Sequence, residues 1–309
     1  MVLNQRGFSG NAVDNTYTLD RFVPYISQSA KFTIAQSSTA ATGFSNSLLA
    51  TSLSAYSVLT GDYFVFSQQI EGYNVADLAF GTASAATVTL SFWVRSSLTG
   101  TFGGSLKNLG TSATRSYPFT YTINAANTFE QKTITIAGDT SGTWATTNGT
   151  GMCVNFGLGV GTTFSGTAGA WAGANYLSAT GATSVVGTNG ATFYITGVQL
   201  EAGSTASPFE YRSYGTELAL CQRYFQKESY VVWSGNATNG SIYYTSFEFP
   251  VQMRAAPTMT YSNVAASGFP ATASTTNQVT ASQVSWQRTS NGTTNGAYYA
   301  EAPTMSAEL

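Results

Sequence analysis

The side chains best equipped for chemistry in this sequence are aromatic. Trp93, Trp144, Trp171, Tyr176 and Trp233 stand among Gly, Thr, Ser and Asn. Rings of this kind stack on the apolar faces of sugars, while short polar neighbours hydrogen-bond the hydroxyls. These five are the candidate glycan contacts. The competing expectation is ordinary: β proteins bury tryptophan in cores and interfaces, and each of the five can serve there. Trp93 lies on the polar side of its strand, so it either covers a second layer or lines a groove.

Catalytic chemistry is poorly supplied. The chain has no histidine, which removes the commonest general base, the usual triad base and the commonest zinc ligand. Glycosidase-type hydrolysis needs two carboxylates flanking one bond. Asp62 with Glu71 and Asp77 with Glu130 are the available pairs, and nothing around them marks a site. The run Gly157-Leu158-Gly159-Val160-Gly161 lacks the Lys-Ser/Thr and helix of a phosphate loop. Cys153 and Cys221 form no CxxC motif, and two buried free thiols are expected. No cofactor is called for. An Asp-lined calcium site at Asp14 or Asp20 is the one metal expectation. The chain therefore reads as non-enzymatic, with a polysaccharide depolymerase as the minor alternative.

Charge is scarce: Asp, Glu, Lys and Arg make up 8% of 309 residues, against about 25% in soluble domains. Net charge is −2 and the basic residues are dispersed, so no patch suits a phosphate backbone and a nucleic-acid partner is not expected. Neutral polymers, or a protein surface in a stable assembly, fit better. No stretch approaches 18 apolar residues, so membrane insertion is not expected. Met1 runs into Asn4-Gln5-Arg6 without a signal-peptide core, so synthesis in the cytoplasm without a leader is expected.

The elements that must position these residues are mostly strands. Residues 63–72, 88–97, 132–137 and 192–200 alternate apolar and polar side chains with period 2. Val88, Leu90, Phe92 and Val94 share one face, and Thr89, Ser91, Trp93 and Arg95 the other. The apolar parity of the last strand changes at Gly197, which predicts a β-bulge. Residues 140–200 contain no charge, and 157–190 read as a long excursion packed on its own sheet or a neighbouring subunit, or else serving as a sugar-binding platform. Seven of the 26 charges fall between Glu201 and Glu228. There Leu218, Cys221 and Phe225, widened by Leu220 and Tyr224, predict a helix over 213–228 with Ser213 or Thr216 as its cap. Asn239-Gly240 between alternating segments predicts a type I′ hairpin.

The fold class is thus mainly β. An N-terminal jelly-roll β-sandwich (1–212) is expected, then a short connecting helix (213–229) and a small C-terminal antiparallel β domain (230–309). Leu218, Cys221, Tyr224 and Phe225 are the candidate interdomain or assembly residues.

Several segments together carry a resemblance. They are Asn4-Gln5-Arg6-Gly7, Tyr17-Thr18-Leu19-Asp20-Arg21-Phe22, Phe66-Ser67-Gln68-Gln69-Ile70-Glu71, Leu90-Ser91-Phe92-Trp93-Val94-Arg95 and Val198-Gln199-Leu200-Glu201-Ala202-Gly203. With Pro208-Phe209-Glu210, Glu217-Leu218-Ala219-Leu220-Cys221-Gln222-Arg223-Tyr224-Phe225, Met253-Arg254-Ala255-Ala256-Pro257 and Ala307-Glu308-Leu309, the chain resembles a family of tailed-phage virion proteins. The resemblance implies a jelly roll similar to carbohydrate-binding modules and a place on the virion, and no enzymatic activity. It implies a tail fibre or spike component contacting host-surface polysaccharide, with a capsid decoration protein (head fibre or cement) as the alternative. The partners would be the chain itself as a homotrimer and other virion proteins, tail or major capsid. Family members usually carry more sequence ahead of Asn4-Gln5-Arg6, so no separate long-fibre attachment domain is expected here.

Overall fold

A computed structural model describes residues 3–109 and 114–309. The chain divides into two compact units, one running to Arg212 and the other spanning Ser213–Glu308. The fold is mainly β, with one α-helix among the described residues.

The first unit contains β1 (Ser9–Asn11), β2 (Phe22–Ile26), β3 (Phe32–Ser37), β4 (Ser47–Ser52), β5 (Tyr63–Glu71), β6 (Val88–Ser96), β7 (Gly100–Lys107), β8 (Ser116–Ile123), β9 (Glu130–Ile136), β10 (Thr150–Val160), β11 (Ser165–Gly166), β12 (Ser178–Ala179) and β13 (Thr192–Ala202). A six-stranded sheet, β1-β3-β4-β13-β6-β9, packs on a five-stranded sheet, β2-β5-β10-β7-β8. Pairing within both sheets is antiparallel. This is a jelly-roll-like sandwich. The period-2 strands send alternate residues inward. Val88, Leu90, Phe92 and Val94 are fully buried, and Phe92 meets Phe156 and Tyr121 of the opposite sheet edge-on at 5.1 and 5.0 Å. A fully buried phenylalanine contributes about 1.5–3 kcal/mol, a surface ion pair about 0–1 kcal/mol. The aromatic layer, not the sparse charge, holds the two sheets together. The parity change at Gly197 is a bulge: the register of β13 on β6 shifts between Thr196 and Gln199, with Gly197 at φ +59.

Of the readings of residues 157–190, packing on its own sheet is the one the structure has. Gly157 and Leu158 are buried within β10, and the chain then returns as a strap across the outward side of the five-stranded sheet. The short parallel pair β11 and β12 lies in it. Glycine makes this seating possible. A Cβ on Gly103 would run into Ser178 and Ala182, and one on Gly157 would lie 2.7 Å from Ser178 Oγ. Polar ties finish the seat: Lys107 Nζ donates to Asn175 Oδ1, Ser116 Oγ donates to the Ala174 carbonyl at 2.7 Å, and the Tyr176 amide donates back to Ser116 Oγ at 3.2 Å.

The carboxylates are spent on loops. Asp62 accepts from the Leu59 amide, the Ser27 and Tyr56 hydroxyls and the Gln28 amide. Burial works against its ionisation, yet these donors hold its carboxyl below the usual range. Asp62 precedes β5 and Glu71 ends it. Nine residues of extended chain separate them by about 30 Å, far beyond the roughly 5–10 Å a glycosidase pair requires. Glu130 closes the turn before β9 by accepting from the Asn124 and Ala125 amides, and pairs with Lys132, while Asp77 sits in the short 3-10 turn Ala76–Leu78. At the calcium candidates, Asp14 accepts from the Ile26 amide, and Asp20 accepts from the Gln5 amide and side chain and pairs with Arg6. Among the described residues no group of three or more His, Cys, Asp or Glu could hold a metal ion.

The second unit contains α1 (Tyr214–Gln222), β14 (Phe225–Lys227), β15 (Val231–Ala237), β16 (Ile242–Glu248), β17 (Thr258–Ser267), β18 (Thr275–Val279), β19 (Gln283–Thr289) and β20 (Thr294–Ser306). The long β20 carries β14 and β15 on one edge and β17 on the other; β16-β19-β18 form a second sheet. Trp286, Tyr299 and Met305 are fully buried in its core.

Two expectations change here. The helix ends at Gln222, and Phe225–Lys227 leave the helical path to pair with β20. As a strand, Phe225–Lys227 bury the Phe225 ring and give the end of β20 a backbone partner, which a further helical turn would not supply. Within α1 only Cys221 is buried, and Leu218 is half-buried. Asn239-Gly240 does not close a hairpin either. β15 pairs with β20 and β16 with β19, so the turn carries the chain from one sheet to the other. A type I′ turn needs positive φ at both central residues; Gly240 has φ +79, but Asn239 is not in that region.

Replacing Gly103 with Val is expected to lift the strap and destabilise the first unit by about 1–3 kcal/mol. Limited proteolysis should then cut between residues 161 and 187, and wild-type resistance would show that the glycine seat is dispensable. For Asp62, a depressed folded-state pKa adds stability that is present above the unfolded carboxylate range, near pH 4, and lost as pH falls through the folded value. Asp62→Asn should lower the melting midpoint at pH 7 and narrow the loss of midpoint between pH 7 and pH 3. Parallel pH profiles for variant and wild type would contradict this.

Candidate functional site

The structure sorts the five candidate aromatics by what their rings touch. Trp144 is buried and meets Phe80 and Trp171 edge-on at 4.9 and 5.5 Å; Trp171 also meets Tyr117 at 5.4 Å. Their indole N–H groups are tied to the 137–141 segment, Trp144 to the Ser141 carbonyl at 3.1 Å and Trp171 to the Ala137 carbonyl at 2.7 Å. Arg115 and Asp139 brace that segment with a two-point ion pair at 2.7 and 2.8 Å. Tyr176 lies on the strap with its ring against Gly166. Trp233 stacks on Tyr299 and packs against Tyr243 and Phe269 in the second unit. These four rings are engaged with neighbours in their own unit.

Trp93 is different. It is half-buried on the outward side of the six-stranded sheet. Among the described residues its ring meets no other aromatic ring and its indole N–H makes no hydrogen bond, whereas the other four tryptophans, Trp286 included, all have ring partners. Register builds the surface around it. Trp93 lies opposite Thr196 on β13 and Gln131 on β9. One rung away Arg95 lies opposite Tyr194, which lies opposite Leu49 of β4. In the other direction Ser91 lies between Gln199 and Thr133. Gln131 and Thr133 are exposed. The result is one open apolar ring bordered by an exposed amide, the Thr133 hydroxyl, a tyrosine and a guanidinium.

The far end of this face is closed by the chain itself. Thr89 Oγ1 donates to the Gly203 carbonyl at 2.8 Å and Thr135 Oγ1 to the Ser204 carbonyl at 3.2 Å. Glu201 accepts from the Ser207 amide and hydroxyl at 2.9 and 2.6 Å, and Gln199 accepts from the Glu210 amide at 2.9 Å. Phe209 and Tyr211 then pack on Phe44, at 5.0 and 5.5 Å. A Cβ on Gly197 would lie 2.5 Å from the Phe44 ring, so the bulge also makes room for that ring. The open part of the face is therefore the Trp93, Arg95, Tyr194 and Gln131 end.

Parity within residues 88–96 already places Arg95 beside Trp93. Tyr194 and Gln131 join them only through strand pairing, which the sequence does not display. Of the candidate assembly residues, Cys221, Tyr224 and Phe225 are buried. Tyr224 accepts from the Ala307 amide and Phe225 pairs with Ser306, so both are engaged within the second unit.

No protein-family model matches the chain, and no curated protein matches it. Among solved structures it is similar to the enzymatically active domain of tailspike protein 4 from bacteriophage CBA120, with 14% identity over 62% of this chain and a TM-score of 0.36. The aligned part spans 21% of that protein's length. It is also similar to a family 11 carbohydrate-binding module from Clostridium thermocellum, with 11% identity, coverage of 62% of this chain and 95% of the module, and a TM-score of 0.34. Discoidin II from Dictyostelium discoideum aligns over 87% of this chain and 85% of its own, with 9% identity and a TM-score of 0.21.

Proposed function

We propose that this chain binds glycan without catalysis, through the open end of its six-stranded sheet, as a self-associating component of a tailed-phage virion that contacts host-surface polysaccharide. The observation that carries the binding reading is Trp93: a tryptophan with neither ring partner nor hydrogen bond among the described residues, on a sheet face bordered by the exposed Gln131 and Thr133. An apolar ring left half in water costs solvation unless something covers it, and a sugar face with equatorial hydroxyls suits such a border. The scarcity of charge leaves stacking and hydrogen bonding, rather than long-range attraction, to hold a polysaccharide on this face. The virion placement rests on the sequence segments that resemble phage structural proteins, and the homotrimer belongs to the same reading.

Purified protein should bind host polysaccharide and, added free, should block phage adsorption. Trp93→Ala should weaken polysaccharide binding about tenfold or more while leaving the melting midpoint within the range of a surface substitution. Unchanged binding by the variant would remove this face from the proposal. Binding to expanded empty capsids with adsorption untouched would replace the tail placement with capsid decoration. Light scattering should give three times the chain mass, and a monomer would refute the trimer.

A further inference from the structure

Arg95 stands apart from the other charged groups on this face. Its guanidinium lies over the Tyr194 ring, 4.7 Å from the centroid, and Tyr194 is backed by Phe129 at 6.2 Å. Its Nε donates to the Asn127 carbonyl at 2.8 Å. The group is thus fixed in plane and direction by two independent contacts. A guanidinium has five N–H donors, and this one has committed a single N–H, on Nε; among the described residues both Nη groups remain unspent, with no carboxylate against them.

The acids that could have balanced it are engaged elsewhere. Glu130, which opens β9 opposite Val94, is taken by Lys132 and the 124–125 amides. Glu201, farther along the same face, is held by Ser207. In a chain with only 12 basic residues, a pre-oriented guanidinium fork without an acid partner is a receptor for an anion. The fork matches carboxylate, sulfate or phosphate geometry in a two-point contact. Arg95 is two residues from Trp93 on one strand face, a separation of about 6.6 Å, which suits adjoining sugar residues of one polymer.

Resting on the glycan-binding reading of this face, we infer that its ligand is an acidic glycan, in which a sugar stacked on Trp93 adjoins one whose anionic group is received by the two Nη groups of Arg95. Gln131 and Thr133 then serve the hydroxyls of the stacked sugar. The interaction is partly exposed, so it is sensitive to salt, whereas stacking on Trp93 is not.

The test is a glycan array of matched pairs, each uronic-acid oligosaccharide printed beside its carboxyl-reduced neutral counterpart, with sulfated and phosphorylated members on the same slide. Pairs that bind are followed by calorimetry. The acidic member should bind about tenfold or more tightly than the neutral one, and 0.5 M salt should erase most of that difference. Arg95→Gln should bring the acidic member down to the neutral level and leave the neutral member unchanged; Trp93→Ala should lose both. Equal binding of both members, lost on Trp93→Ala and indifferent to Arg95→Gln, overturns the acidic preference and leaves glycan binding standing. No binding to any pair overturns both. The relative response to carboxylate, sulfate and phosphate members identifies the anion.

Discussion

With so few charges, six of the nine carboxylates in the first unit serve as knots that draw backbone amides together. Asp20 gathers the Gln5 segment, Asp62 the 27–28 and 56–59 segments, Glu130 the turn before β9, and Glu201 the Ser207 segment. A carboxylate accepting from backbone N–H groups makes stronger hydrogen bonds than a neutral acceptor, and it satisfies donors that irregular segments would otherwise leave exposed. The sandwich core fixes the strands, and these few acids fix the segments between them. With these acids engaged in holding loops, the unmatched Arg95 on the six-stranded sheet stands out.

The two sheets present unlike outer faces, and glycine decides the difference. On the five-stranded sheet, Gly103 and Gly157 leave a flat notch into which Ser178 and its neighbours settle, so that face is roofed by its own chain. On the six-stranded sheet the corresponding positions carry Trp93, Arg95 and Tyr194, and the returning chain covers only the Thr89 and Ser91 end. Accessibility of the candidate site is therefore set by where side chains are missing as much as by where they are present.

Much of this was legible in the sequence. Period-2 alternation located the central strands and the inward set of β6, and the parity change located the bulge at Gly197. The limits were tertiary. Four tryptophans and a tyrosine carry no local mark that separates a ring packed on Phe80 from one open to solvent; only strand register and the course of the strap do so. The Asn239-Gly240 turn had hairpin chemistry, but flanking alternation is the same whether two strands pair or cross between sheets. Helical periodicity ran on past Gln222 because Tyr224 and Phe225 are apolar in either conformation, and pairing with β20 overrode it. Arg95 was visible as a residue beside Trp93, but that it lacks an acid partner depended on Glu130 and Glu201 being used elsewhere.

The segment held by Gln199 and Glu201 gives the first unit a particular mechanical character. Tension entering from residue 213 onward reaches Phe209, Tyr211 and the Ser207 and Glu210 amides before it reaches β13. Those contacts lie outside the sheet ladder, so they act as a sacrificial latch: a short pull can strip Ser207–Glu210 from the surface and be absorbed as slack, while the strand beneath keeps its register with β4 and β6. Such a latch separates loss of the Ser207–Glu210 contacts from loss of strand register.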